Sequence, residues 1–191
     1  MQSYYRITYL IVLIVTNLTI SNAFASDSYS QAVDNFSHAS ETQRYLNNAY
    51  GYAIFPTVGK AGLGVGGAYG QGKVYQAGIN TGDTTLTQLS IGFQIGGQAY
   101  SEIIFFKDKK AYDTFTRGNF EFNAQATAVA INLGANAQIG TTGNSVGAGQ
   151  SGGKQASAGE YINGLAVFTV AKGGLMLEAS LAGQSFSFNP R

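Results

Sequence analysis

Between Lys60 and Gly72 the chain alternates small and bare positions: Ala61, Leu63, Val65 and Tyr69 fall on one parity, and Gly62, Gly64, Gly66 and Gly70 on the other. A period of two is the period of a strand. Glycine weakens a strand, so a strand with one bare face needs a neighbour that comes close, either another backbone or a packed helix. Gly62, Gly64, Gly66, Gly67, Gly70 and Gly72 are therefore read as structural residues. The chain has 26 glycines and two prolines and shows no collagen period. Glycine used in this way points to bends, bulges and thin packing in a β protein.

The N-terminus reads as an export signal. Arg6 precedes an apolar run from Ile7 to about Ile20, and Ala23-Phe24-Ala25 fits the small-x-small cleavage rule. Residues 1–25 are thus predicted to be removed, leaving Ser26 as the mature start and residues 26–191 as one domain. The run is shorter than the roughly 20 residues of a spanning helix, and Thr16, Asn17 and Thr19 interrupt it. The chain has no cysteine, which excludes disulfides, thiol catalysis, thiolate metal sites and a lipoprotein anchor. The net charge of +1 gives no bulk attraction to nucleic acid.

Two short helices are expected over Ser28–Asn48. Ala32, Val33, Phe36 and Ala39 line one face, a capping box at Ser40 and Gln43 restarts the helix, and Gly51 stops it. Tyr52–Phe55 reads as a strand ended by Pro56. Ala61–Gly70 and Lys73–Asn80 read as a hairpin through Gln71-Gly72, with a further turn at Thr81-Gly82-Asp83. Thr85–Phe106 is one long strand that bends at Gly96-Gly97. Asp108 caps a short helix that ends at Gly118. Alternation from Phe120 to Ala130 favours a strand over a helix. Residues 141–159, rich in Gly, Ser, Gln and Ala, read as a mobile loop. Tyr161–Ala171 and Leu175–Phe188 read as a final hairpin through Lys172-Gly173-Gly174.

Few residues suggest chemistry. Gly62-x-Gly64-x-x-Gly67 matches the dinucleotide fingerprint in letters, but that motif must turn a strand into a helix, and here the chain continues as a strand. His38 reads as a surface residue, with scattered carboxylates that offer no metal site. Glu102 reads as an outward strand residue and Asp108 as a helix cap. No catalytic residue, metal ligand or cofactor is assigned. Lys107, Lys109 and Lys110 cluster, and with Lys60, Lys73, Arg117 and Arg44 they are the candidate contacts to an anionic lipid surface. The attachment they predict is weak, peripheral and salt-sensitive.

One family resemblance runs along nearly all of the expected mature chain. It rests on Gly51-Tyr52-Ala53-Ile54-Phe55-Pro56, Lys60-Ala61-Gly62, Gly66-Gly67 and Gly70-Gln71-Gly72. Gly92-Phe93-Gln94-Ile95-Gly96-Gly97-Gln98, Ile103-Ile104-Phe105-Phe106, Phe120-Glu121-Phe122 and Lys172 to Gly183 complete it. In this ordered set the chain resembles the SYLF domain, a lipid-binding module shared by exported bacterial proteins and eukaryotic proteins of the endocytic actin machinery. The resemblance implies a β-rich, non-enzymatic domain that associates with phospholipid. Eukaryotic members bind phosphoinositides through a basic N-terminal helix; here Ser28–Asn48 carries Arg44 against Asp34 and Glu41.

The expected architecture is α+β and β-dominated: a curled antiparallel sheet, barrel-like or sandwich-like, with helices on its glycine-rich surface. The expected role is an exported, periplasmic module at a phospholipid surface. A structural or protein-interaction domain is the alternative, and an outer-membrane barrel a more distant one, because helices interrupt the meander.

Overall fold

The computed structural model describes residues 28–122, 131–132, 161–172, 181 and 183–191, with the backbone alone described at 63, 64, 90–96, 131 and 132. The expected signal 1–25, the alternation at 124–130, the loop 141–159 and the start of the closing strand lie outside these residues.

Helix α1 (28–37) and helix α2 (Ser40–Asn48) occupy the predicted N-terminal segment. The expected capping box is absent. The N-cap is Ala39, without a side-chain cap, and Ser40 Oγ donates to Glu41 instead. Buried Thr42 holds the junction, donating from Oγ1 to the carbonyls of Phe36 and Ala39. Gly51 does not stop the helix; the Ala49 N–H already bonds the Tyr45 carbonyl, and Gly51 opens the first strand.

Two long strands dominate. Strand β1 (Gly51–Gln76) and strand β2 (Ile79–Phe106) form one antiparallel ribbon, paired from Gln76↔Ile79 out to Gly51↔Phe106. The hairpin turn is therefore Ala77-Gly78, not Gln71-Gly72, and Thr81-Gly82-Asp83 lies inside β2. Both turn residues have positive φ, 48° and 79°. A two-residue hairpin of the right twist has this backbone form. Pro56 does not end the strand. It sits where the register shifts between Phe55 and Val58, and its carbonyl accepts from Ser101 Oγ at 2.7 Å. A bulge is one of the few places a sheet tolerates proline.

The ribbon folds over on itself. Its register shifts between Gly62 and Gly64 on β1, opposite Gly96 and Gly92 on β2. Beyond this elbow the two halves of β1 face each other. A side-chain carbon at Gly70 would stand 2.8 Å from Val58 Cγ2, and one at Gly72 would stand 2.6 Å from two ring carbons of Phe55. At Gly70 and Gly72 the bare face is thus a packing surface, and what it meets is the same strand's other half. The helices pack elsewhere, which corrects their expected place on the glycine face.

Each half of the ribbon grows into a leaf of a curled sheet. Strand β5 (Leu165–Lys172) pairs with the Ala99–Phe106 part of β2, and strand β6 (Gln184–Pro190) pairs with its Gly82–Gln88 part. Strand β3 (Phe120–Glu121) adds to β6, and strand β4 (Ile131–Asn132) adds to β5 in parallel. Among the described residues β5 and β6 both flank β2 rather than pairing with each other, so the expected final hairpin is not formed by these strands.

The first leaf is buried on both faces. Its outer face carries Ile54, Ile103, Phe105 and Phe168, which pack under α1 and α2; Tyr45 stacks on Phe105 at 5.4 Å. Its inner face joins the second leaf through Phe55, Val58, Ile104, Phe106, Leu86 and Phe186. Helix α3 (Lys109–Phe115) closes the end away from the elbow. Asp108 caps it as predicted, accepting from the Ala111 N–H at 2.9 Å. Phe115 sits 5.0 Å from the Phe106 ring of one leaf and 5.1 Å from the Phe186 ring of the other.

Candidate functional site

Near the elbow the interior changes character. A cavity of about 1240 Å³ lies there, lined by both leaves, including Lys60, Ala68, Gln88, Gln98, Ala171 and Lys172. On the inner face of β2 the order away from the cavity is Gln98, Tyr100, Glu102, then Ile104 and Phe106. The cavity adjoins a buried polar cluster through Ala171 and Gln88, the cross-strand partners of Tyr100 and Gln184.

Three side chains form that cluster. Gln184 Nε2 donates to the Tyr100 hydroxyl at 3.3 Å and to Glu102 Oε2 at 3.2 Å. Both bonds are at the long end of the normal range. Glu102 and Gln184 are fully buried. Among the described residues Glu102 Oε1, Gln184 Oε1 and Thr169 Oγ1, on the strand partner of Glu102, have no hydrogen-bond partner. Unpaired buried polar atoms are rare in folded proteins, because each forgoes its water without replacement. Burial pushes the Glu102 carboxyl up to about 8, against the pull of the Gln184 hydrogen bond. The Tyr100 phenol is raised too, first by burial and then by the Glu102 charge.

Sequence reasoning placed Glu102 on an outer face; it is an interior residue. The signal was its parity. Tyr100, Glu102, Ile104 and Phe106 share one face of a strand, and three of them are large and apolar enough to mark an inner surface.

The ribbon beyond the elbow carries a second feature, two of whose residues, Tyr69 and Leu89, also line the cavity. Val65 is 69% exposed, Tyr69 54% and Leu89 84%. Leu89 lies opposite Gly67, so Val65 and Tyr69 are its two diagonal neighbours across the ribbon. Diagonal positions of this kind are within reach of large side chains. The three thus form one exposed apolar face on the leaf whose inner side is glycine.

The structure scatters the candidate cations. Lys60 is buried and lines the cavity. Lys73 lies over the Tyr29 ring at 4.3 Å, beneath α1. Arg44, on α2, lies over the Tyr45 ring at 4.9 Å. Lys107, Lys109, Lys110 and Arg117 are exposed around α3, where Lys109 is bound to Asp113 at 2.7 Å. The Asp113 hydrogen bond and charge raise the Lys109 ammonium above its ordinary value.

The glycine motif Gly62-x-Gly64-x-x-Gly67 lies within β1 and leads into no helix, so it cannot present a helix N-terminus to a pyrophosphate. His38 is exposed, with Nδ1 2.7 Å from the Asp34 carbonyl. Among the described residues no three His, Cys, Asp or Glu side chains cluster to hold a metal ion, and no helix is long and apolar enough to cross a membrane.

The curated protein Beta cell expansion factor A of Aeromonas veronii is similar to the chain, with 24% identity over 165 residues, or 79% of the chain and 50% of that relative. The chain thus spans about half the length of the curated relative it matches. The profile of the family described as Las17-binding protein actin regulator, Ysc84, matches residues 87–190, from the second leaf's part of β2 through β6. That match takes in more than half of the chain, and the chain belongs to the Ysc84 (SYLF) family.

Proposed function

We propose that this protein is an exported, non-enzymatic module that attaches to phospholipid surfaces, with the outer face of the elbow toward the membrane. The observation that carries the reading is the cluster of Val65, Tyr69 and Leu89, large side chains left in water on a ribbon that has no other partner there among the described residues. Full burial of one large apolar side chain contributes about 1.5–3 kcal/mol. A lysine close to an anionic surface contributes about 1 kcal/mol. The elbow therefore outweighs the exposed lysines around α3, and salt does not screen it. Tyrosine suits the edge of such a contact, since its ring is apolar and its hydroxyl stays wet.

Flotation with anionic vesicles at low and high salt tests this. Wild type should float at both, with a fraction lost as salt rises. A Val65→Ser/Leu89→Ser variant should bind at least about tenfold more weakly at high salt. A Lys107/Lys109/Lys110→Ala variant should lose mainly the salt-sensitive fraction. Failure of wild type to float even at low salt would sink the lipid reading. A protein-interaction domain would then take its place, which the family's description as Las17-binding favours.

A further inference from the structure

Gln184 ties the two leaves together from within. It opens β6, on the second leaf, and its amide reaches Tyr100 and Glu102 on the first. The carboxyl it holds has few groups around it to answer a charge. β1 supplies Phe55 as its strand partner, β5 supplies Thr169, and β6 supplies Gln184 and then Phe186. On β2 itself the ionisable neighbour is Tyr100, whose phenol is raised by burial and by the Glu102 charge. Helix α3 turns Ala111 and Phe115 toward the core, while its lysines are exposed and Asp113 pairs with Lys109. Among the described residues the cation next along the inner face is Lys60, opposite Gln98. Gln98 is four residues from Glu102, a strand rise of about 13 Å. A protonated carboxyl suits this place. It donates as well as accepts, and so does the Thr169 hydroxyl beside it across the ladder. A carboxylate there is taken out of water with no cation opposite among the described residues. Burial accordingly holds the group up at about 8.

We propose that Glu102 and Gln184 form a proton-controlled clasp between the leaves, shut while the carboxyl keeps its proton and released at the elbow end when the proton leaves. The direction of release follows from the ladder. Gln88↔Gln184 is the last rung between β2 and β6 on the elbow side. On the other side the rungs run on to Gly82↔Pro190, and Phe115 of α3 bridges the Phe106 and Phe186 rings. Gln88 lines the cavity, so the first opening gives the carboxylate a path to water there. The side-chain bonds to be broken are two long ones, 3.2 and 3.3 Å. Release takes the neighbouring chain with it. The Phe122 N–H donates to the Gln184 carbonyl at 2.9 Å, and the Gly183 N–H donates to the Phe122 carbonyl at 2.8 Å. The folded carboxyl titrates above its freed value, so opening gives up a proton between the two. Opening is therefore rarest below about pH 4.5, rises by up to about tenfold per pH unit, and levels off above about 8. The clasp goes beyond the lipid reading and does not depend on it.

Hydrogen exchange at the Phe122 and Gly183 amides tests the clasp, each rate divided by that of an unstructured amide at the same pH. In wild type these amides should open at least about tenfold more often at pH 7.5 than at pH 5.5, within a limit of about a hundredfold for one proton. At pH 7.5 they should also open at least about tenfold more often than the whole molecule unfolds, as measured with denaturant at that pH. Glu102→Gln has no proton to lose and should flatten the profile. His38→Gln, which removes the chain's one histidine from an exposed position, should leave the rise as it is. A flat wild-type profile overturns the proposal. So does opening no more frequent than global unfolding, which would mean that the leaves part only when everything does. A rise that persists in Glu102→Gln, or disappears in His38→Gln, overturns it as well. If Glu102→Gln does not fold, Gln184→Met decides, because it cuts the tie and leaves the carboxyl. The two amides should then open at least about tenfold more often than in wild type already at pH 5.5. An unchanged rate there overturns the clasp.

Discussion

At the scale of single residues, Glu102 governs the interior. Its carboxyl is pushed up to about 8 by burial, against an ordinary 4.5; it accepts from Gln184, and its strand partners are Phe55 and Thr169. The folded chain therefore keeps a proton that the unfolded chain gives up at lower pH. Stability contributed by this group is fully present below about pH 4.5 and is lost as pH rises toward about 8, at no more than about 1.4 kcal/mol per pH unit. Glu102→Gln cannot titrate, so the difference in melting temperature between variant and wild type should widen in the variant's favour from pH 5 to 8.5. A difference that stays level would mean the carboxyl is ionised in the folded state. This residue was misread from sequence for a physical reason. A strand buried on both faces has no polar side to mark it: Ile103 and Phe105 face α1 and α2, while Tyr100, Glu102 and Ile104 face the inner core.

At the scale of elements, polar caps were legible and turns were not. Asp108 carries its own signal, a short acid three residues before a free N–H, and the structure uses it as such. The hairpin was placed at Gln71-Gly72 because glycine marks turns, yet Gly72 serves the approach of Phe55. The actual turn, Ala77-Gly78, lacks the asparagine or aspartate that usually announces it. Ala77 adopts φ 48°, a region where alanine pays for its Cβ and asparagine is better tolerated. Ala77→Asn should therefore stabilise the protein by about 0.5–1 kcal/mol. Denaturant unfolding measures it through the midpoint, with an unchanged slope. A loss of stability would show that the turn has another form.

At the scale of the whole molecule, the curled, β-dominated sheet and its bend near Gly96-Gly97 followed from glycine placement and from strand length. The strand order did not. Which segments flank β2 is decided by pairings such as Gln88↔Gln184 and Phe106↔Leu165, between residues far apart in the chain whose patterns are alike. The inner cavity was hidden for the same reason, since its lining comes from strands that meet only when the ribbon folds over. Gly72→Val tests that folding-over directly. The new side chain would enter the space of the Phe55 ring, and overpacking of this kind costs roughly 1–3 kcal/mol. An unchanged melting temperature would mean that the leaves do not touch there.

Because β2 belongs to both leaves, the two are one thermodynamic unit. It is bonded along one side to β1 throughout and along the other to β5 and β6 in turn. Neither leaf can lose its central strand without stripping the other of its own, and their shared inner core would open in the same step. The melting curves of wild type and Gly72→Val should accordingly each show a single transition by every probe. A chain that looks like two small sheets joined at an elbow thus behaves as one cooperative whole, with no half left standing to be bound, cut or refolded alone.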